Sequence, residues 1–436
     1  MRYLPLAVAT IAALTGTPFA VAANLSAIYN LARENDAQYA AAVQAAAAGR
    51  EKGIQGRALL LPSIVFNGNA RNNQNASATY APQNYNSGSA IFTATQPLLR
   101  QANQATSEQG ELQAQLAEQQ LKLAEQDLLV RASRGYFEVL QAQDALATIG
   151  AQKEAFAQQL AQAKRSYDVG LAPVTDVNEA QTRYDLTLAQ EIAARNELEV
   201  KRGTLEKAIG TQLPTLAWLD PEVNIDVLPA AQQQSLAAAA AQNATQVAIG
   251  ITNEQIARRE VAKQDAGHNP TIDLVGSLGV NKNVSLGNFG GQFVRAATIG
   301  VDVAVPVYQG GALSSRAREA VANLGRAQSD LDNTRRQATL DARQALLGVQ
   351  SGLALNQALR QAVTSGETQV RSTRRGLEIG LRTRVDVLNA EQLLFTTRRD
   401  LSAARYQVLI SGLLLRALAG AISESDLKLL DALLKE

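Results

Sequence analysis

The chain has 436 residues, and 41 Lys+Arg against 40 Asp+Glu leave a formal net charge of +1. That balance removes the electrostatic case for nucleic-acid binding. The absence of cysteine excludes disulfides, thiolate metal sites, cysteine nucleophiles and a lipidated N-terminal cysteine, and a single histidine, His268, excludes a multi-histidine metal cage.

The first residues read as an export signal. Met1-Arg2 precedes an apolar run from Leu4 to Leu14, and Ala20-Val21-Ala22 supplies an A-x-A cleavage pattern. Residues 1–22 are expected to be a signal peptide cut after Ala22; the competing reading is a buried N-terminal helix. The run is too short to span a bilayer, and past it no stretch approaches 18 uninterrupted apolar residues. If the exported chain enters a membrane, strands must carry it there.

Beyond the signal the sequence is written twice. Pro62-Ser63-Ile64 returns as Pro270-Thr271-Ile272, and Pro97 returns as Pro306. Val169-Gly170-Leu171 with Asp176-Val177 and Ala180 returns as Ile379-Gly380-Leu381 with Asp386-Val387 and Ala390. The offsets, 208 to 210 residues, are nearly constant, which marks a tandem duplication. The expected units are 23–221 and 222–436.

Each unit opens with an Ala-rich helical segment, residues 24–57 and 232–266. Two strand-like segments follow, then a proline-free helical stretch, 98–168 and 308–378, of about 105 Å. Gly170 and Gly380 stop these helices. A further helix starts near Asp176 or Asp386 and runs to about 210 or 421. The two shorter helices together nearly equal the long one, so stacked end to end they return along its flank. Their apolar positions occupy more than one face, which predicts a wall of helices rather than a two-stranded coiled coil. Trp218, in the connector marked by Pro214, Pro221 and Pro229, is expected to anchor packing.

Ile299, Val301, Val303, Val305 and Val307 alternate with Thr298, Gly300, Asp302 and Ala304, and Ile272, Leu274 and Leu278 alternate with Thr271, Asp273 and Ser277. Such period-two patterning suits a membrane barrel, lipid outside and water inside, and equally an ordinary half-buried sheet. The first-half strands, around Ile64 and Phe66 and then Ala90 to Leu98, alternate less cleanly. Four strands per chain cannot close a barrel, whereas three chains would supply twelve. The membrane reading therefore demands a trimer.

Taken together, this order resembles the TolC family of bacterial outer-membrane efflux and secretion ducts. The resemblance rests on V-G-L-x-x-x-T-D-V within Gln152–Arg195, on G-L-R-x-x-V-D-V-L within Gly376–Leu434, on Ala266–Leu274 and on Val305–Gly311. It covers essentially the whole exported chain and is weakest at the first-half strands and intervening loops, about 67–96, whose loops are expected to face the exterior. It implies a mainly α fold with a β-barrel: a homotrimeric twelve-stranded barrel in outer-membrane lipid, continuous with a long periplasmic α-helical barrel. The implied partners are a periplasmic adaptor and an inner-membrane transporter of the RND or ABC type.

Carried over by motif, the resemblance implies that Asp386 lines a pore constriction at the periplasmic tip, one carboxylate per protomer, with Asn389 where a second aspartate stands in the best-known member. It implies a gate latch in which Arg382 reaches Thr175 and Asp176, with Gln159 in the same network. Leu377 replaces a latch tyrosine, so closure is expected to be weaker. Val169, Gly170, Leu171, Ile379, Gly380 and Leu381 match adaptor-docking turns; the plainer reading is that both glycines simply end helices. Arg371, Arg374, Arg375, Arg382 and Arg384 make the second tip basic.

Other features carry less. Gly287-Asn288-Phe289-Gly290-Gly291 lacks the strand–glycine–helix setting of a nucleotide loop. Asp265 and His268 read as a helix end rather than a metal pair. No nucleophile–base pair or carboxylate dyad emerges, so neither catalysis, cofactor nor metal is expected. The rival readings are a periplasmic adaptor, which carries one hairpin per chain rather than two, and a structural coiled-coil envelope protein, which does not need the valine alternation.

Overall fold

The computed structural model describes residues 22–75, 83–220, 223, 225, 229–283 and 292–435. The expected signal peptide, apart from Ala22, and the Gly287–Gly291 cluster lie outside them. Both repeats follow one order. In the first, α1 (Leu25–Asn35) and α2 (Ala37–Ala58) lead to strands β1 (Ser63–Asn75) and β2 (Gln83–Leu99), then to α3 (Gln101–Asp168) and α4 (Val174–Ile209). After a connector holding β3 (Trp218–Leu219), α5 (Ala230–Asn243) and α6 (Thr245–Asp265) lead to β4 (Thr271–Asn283) and β5 (Gln292–Ala304). Helices α7 (Ala312–Glu378) and α8 (Arg384–Leu418) follow, and α9 (Glu424–Asp431) and β6 (Leu434–Lys435) come last. The two long helices, 68 and 67 residues, each rise about 100 Å.

The Ala-rich segments differ from expectation, because each breaks once. Asp36 leaves the helix with φ −68° and ψ 116°, and its carboxylate accepts from Tyr39 N at 2.7 Å, capping α2. Arg131 Nη1 on α3 donates to the same carboxylate at 3.0 Å. Burial works against this charge, but the Arg131 and backbone hydrogen bonds outweigh it and hold the carboxyl below its usual range. Ala244 makes the equivalent break between α5 and α6, where Thr245 Oγ1 donates to Gln126 Oε1 at 2.8 Å.

The four long strands form one antiparallel sheet in the order β1-β2-β4-β5. Register places Phe66 opposite Phe92 and Phe92 opposite Leu278, with Gly276 opposite Ile299. One face therefore carries Ile64, Phe66, Phe92, Leu278, Ile299, Val301 and Val303, all exposed in the single chain. The opposite face carries Asn67, Asn69, Thr93, Ser277, Thr298 and Asp302. The first-half strands run further than their apolar residues suggest, to Asn75 and from Gln83, because polar side chains pair across β1 and β2. Asn72 donates to Asn86 at 3.0 Å and Asn73 to Ser87 at 2.8 Å. The valine alternation also stops sooner than its pattern, at Ala304, because Pro306 has no amide to donate.

Among the described residues, no helix is long and apolar enough to cross a membrane. The helices stand side by side. Next to the sheet the neighbours run α2, α3, α6, α7; toward the far end they run α4, α3, α8, α7. Between these tiers lies the main core, where Tyr136, Phe137, Leu140, Leu205, Ile209, Tyr406 and Leu409 are buried. Tyr136 Oη donates to the Ala217 carbonyl at 2.6 Å, holding the connector. Leu216, Ala217 and Leu219 bury there, while Trp218 is 46% exposed and does not anchor the packing as expected. Asp431 on α9 accepts from the backbone amides of Leu25 and Ser26 at 2.8 and 3.3 Å, tying α9 to α1.

Close packing of α2 on α3 depends on small residues. A Cβ at Gly110 would lie 2.5 Å from the Lys52 carbonyl oxygen, whereas one at Gly150 would meet nothing within 4 Å. Gly110→Ala should lower the thermal unfolding midpoint, because an overpacking cost of about 1–3 kcal/mol exceeds a helix-propensity gain of about 1 kcal/mol. Gly150→Ala should raise it, and circular-dichroism melts of the two variants check both signs.

Candidate functional site

Both long helices end in the same way. Val169 and Ile379 close α3 and α7, and Gly170 and Gly380 each adopt φ 75°, the left-handed region that costs other residues strain. Leu171 N donates to Ser166 O and Leu381 N to Gly376 O, both at 2.8 Å. These bonds make two Schellman turns. Val169, Leu171, Ile379 and Leu381 project from them, between 66% and 82% exposed. Two turns at one end of the wall thus present four apolar knobs to solvent.

Helix α8 opens with a capping box: Asp386 N donates to Thr383 Oγ1 at 3.2 Å, and Thr383 N donates to Asp386 Oδ2 at 2.9 Å. The Thr383 amide and hydroxyl, with Arg382 nearby, lower the Asp386 carboxyl below its usual range. Three residues on, Asn389 Oδ1 accepts from Arg183 Nη2 of α4 at 3.0 Å. The two residues expected at the constriction therefore lie one turn apart on α8, one capping it and the other bound to a neighbouring helix.

Among the described residues no hydrogen bond or ion pair joins Arg382 to Thr175 or Asp176, and Thr175 is exposed. Within the chain Arg384 links the two hairpins. Its Nε lies 3.5 Å from Asp176 Oδ2 and its Nη2 donates to Ser166 Oγ at 2.7 Å, so one side chain ties α8 to both α3 and α4. It is 14% exposed, and its Nη1 is buried without a partner. Its position beside the C-terminal turn of α3 suits a cation.

Gln159 does enter a network, through a residue the sequence reading missed. Glu391 is 2% exposed; its Oε1 accepts from Arg374 Nη2 at 2.5 Å, Arg374 Nε at 3.0 Å and Gln159 Nε2 at 3.4 Å. Oε2 is buried and unpartnered. The available signal was a lone Glu among apolar α8 positions, between Ala390 and Leu394. Among the described residues no group of three His, Asp or Glu gathers that could hold a metal, and His268 lies at the end of α6, its Nδ1 3.4 Å from the Asp265 carbonyl.

A sheet with one apolar and one polar face stands on a wall of helices about 100 Å long. The sequence profile of the outer membrane efflux protein family matches residues 28–211 and again 236–421. The outer membrane protein TolC of Vibrio cholerae is 34% identical over 425 residues, covering 95% of this chain and 94% of the relative. The proteases secretion protein PrtF of Dickeya chrysanthemi is 33% identical over 417 residues, 93% of this chain and 89% of the relative. The CmeC outer membrane channel of Campylobacter jejuni has the same fold, with TM-score 0.80 at 15% identity over 94% of this chain and 89% of that one. The chain belongs to the outer membrane efflux protein family. It is an outer-membrane exit duct that extends into the periplasm.

Arg374→Gln should cost about 1–3 kcal/mol by leaving Glu391 buried without its charged partner. Glu391→Gln in that background should recover part of the loss. A double-mutant cycle of unfolding midpoints measures the coupling, and strictly additive effects would contradict it.

Proposed function

We propose that three copies close head to tail into one pore, and the observation that carries this is a pair of open edges shared by every tier. Among the described residues β1, α2 and α4 have no outer neighbour on one side, and β5 and α7 have none on the other. Both edges are apolar: Leu186, Ile192 and Val200 are exposed on α4, as are Val321, Leu340, Leu347 and Leu355 on α7. Edges of opposite kind join heterologously and close into a ring. Three sheets then give twelve strands, apolar face to lipid and polar face to water. Each repeat, 23–221 and 222–436, supplies one hairpin of strands and one helical hairpin.

The tip forms an iris that opens by rearrangement of the helical turns. Asp386 from each copy rings the constriction and attracts cations, and mutual repulsion of three carboxylates opposes the lowering that each capping box imposes. Arg384 holds the two hairpins of a protomer together, while Arg382, whose guanidinium forms no hydrogen bond or ion pair among the described residues, reaches across to Thr175 and Asp176 of the next copy. The knobs Val169, Leu171, Ile379 and Leu381, with the glycines beside them, dock a periplasmic adaptor. An inner-membrane transporter of the RND or ABC type supplies the energy, and the duct conducts passively. The resemblance to PrtF, a protein named for protease secretion, supports polypeptide cargo, and the match to an efflux family supports small molecules.

Single-channel recording in planar bilayers tests this. Wild type should show a small, cation-selective conductance; Arg384→Ser and Arg382→Ser should each raise it several-fold, and Asp386→Ala should remove the selectivity. Conductance indifferent to all three changes would move the constriction elsewhere. No conductance from a verified trimer would overturn the duct closure proposed.

A further inference from the structure

Beside the main core a cavity of about 590 Å³ opens between α3, α7, α8 and β3. Arg405 of α8 lines it and is only 8% exposed. Its Nη2 donates to the Asp220 carbonyl, and its Nε is buried without a partner. Arg360 of α7 also lines the cavity, and its Nη2 donates to the Val223 carbonyl at 3.3 Å. Among the described residues neither guanidinium forms an ion pair.

The carboxylates that line the cavity are committed elsewhere. Asp144 Oδ2 accepts from Ser402 Oγ at 2.6 Å and Tyr406 Oη at 2.8 Å, and Glu367 pairs with Arg398 at 2.6 Å. Burial, and then repulsion from Arg360, push the Arg405 guanidinium below its usual range. Three arginines line the cavity, and beside the paired Arg398 two are left, Arg360 and the nine-tenths buried Arg405, whose Nη2 atoms donate to main-chain carbonyls.

We propose that this cavity is a binding site for a small oxyanion, a carboxylate or a phosphate, held by Arg405 and Arg360. Guanidinium groups match both oxyanions through paired N–H donors. Thr148 and Thr364 add hydroxyls to the walls, and Trp218 covers the rim. A ligand there bridges both helices of the second hairpin to the connector between the repeats, away from the pore tip.

Trp218 is the only tryptophan in the chain, so its fluorescence reports on this cavity alone. The purified full-length protein in neutral detergent is titrated with sodium succinate and separately with sodium phosphate, against sodium chloride at equal ionic strength. One or both oxyanions should give a saturable change in emission that chloride does not. Arg405→Met should abolish it, and Arg360→Gln should weaken half-saturation about tenfold. If Arg405→Met does not fold, Arg360→Gln, at an exposed side chain, decides. Saturation by succinate alone makes it a carboxylate site, and by phosphate alone a phosphate site. A linear response, or one identical in wild type and Arg360→Gln, would overturn the proposal. The readout involves no conductance, so it stands or falls apart from the duct closure.

Discussion

The whole structure depends on two helices having the same length. Helices α3 and α7 start just after Pro97 and Pro306, rise without a proline, and stop at Gly170 and Gly380. Because they match to one residue, both Schellman turns fall at one level. A shift of a single turn, about 5.4 Å, would carry Arg384 out of reach of Ser166 and Asp176. Precision at the tip is thus set by where proline is absent along 100 Å of backbone above it.

The same helices divide the labour of the wall. Helix α3 is flanked on both sides within its own chain, by α2 and α4 on one and by α6 and α8 on the other. Among the described residues α7 packs only against α5, α6 and α8, and Leu340, Leu347 and Leu355 stay exposed on it. The long helix of the first repeat is therefore sealed within the chain, and that of the second is not. Polar links reinforce the sealed half, where Gln152 donates to Gln392 at 2.7 Å across α3 and α8.

Features repeated in sequence were legible before any coordinates. The duplication, the long helices, the paired glycine turns and the alternation in β4 and β5 all follow from spacing alone. Local signals were also present at the two helix breaks, Asn35-Asp36 and Asn243-Ala244-Thr245, but alanine-rich flanks concealed them. In β1 and β2 the strands are built of Asn, Gln and Ser, residues that ordinarily read as loop, and cross-strand amide pairing overrides that preference. The tip partnerships were not legible, because they depend on how the turn leads into α8. Arg382 lies in that turn and Arg384 is the first residue of the helix, and within the chain the second reaches the neighbouring hairpin.

One contact bears on how the chain comes to be folded. The first turn of α1 leaves backbone amides unsatisfied, and the carboxylate that accepts from Leu25 and Ser26 belongs to Asp431, 406 and 405 residues away. The β3–β6 pair beside it likewise joins residues 218–219 to 434–435. The hairpins β1–β2 and β4–β5 and the helix pairs α3–α4 and α7–α8 join near neighbours, whereas the belt between the tiers draws on residues at both ends of the described chain. It acts as a clasp that shuts only when residues 424–435 come back to α1 and the connector.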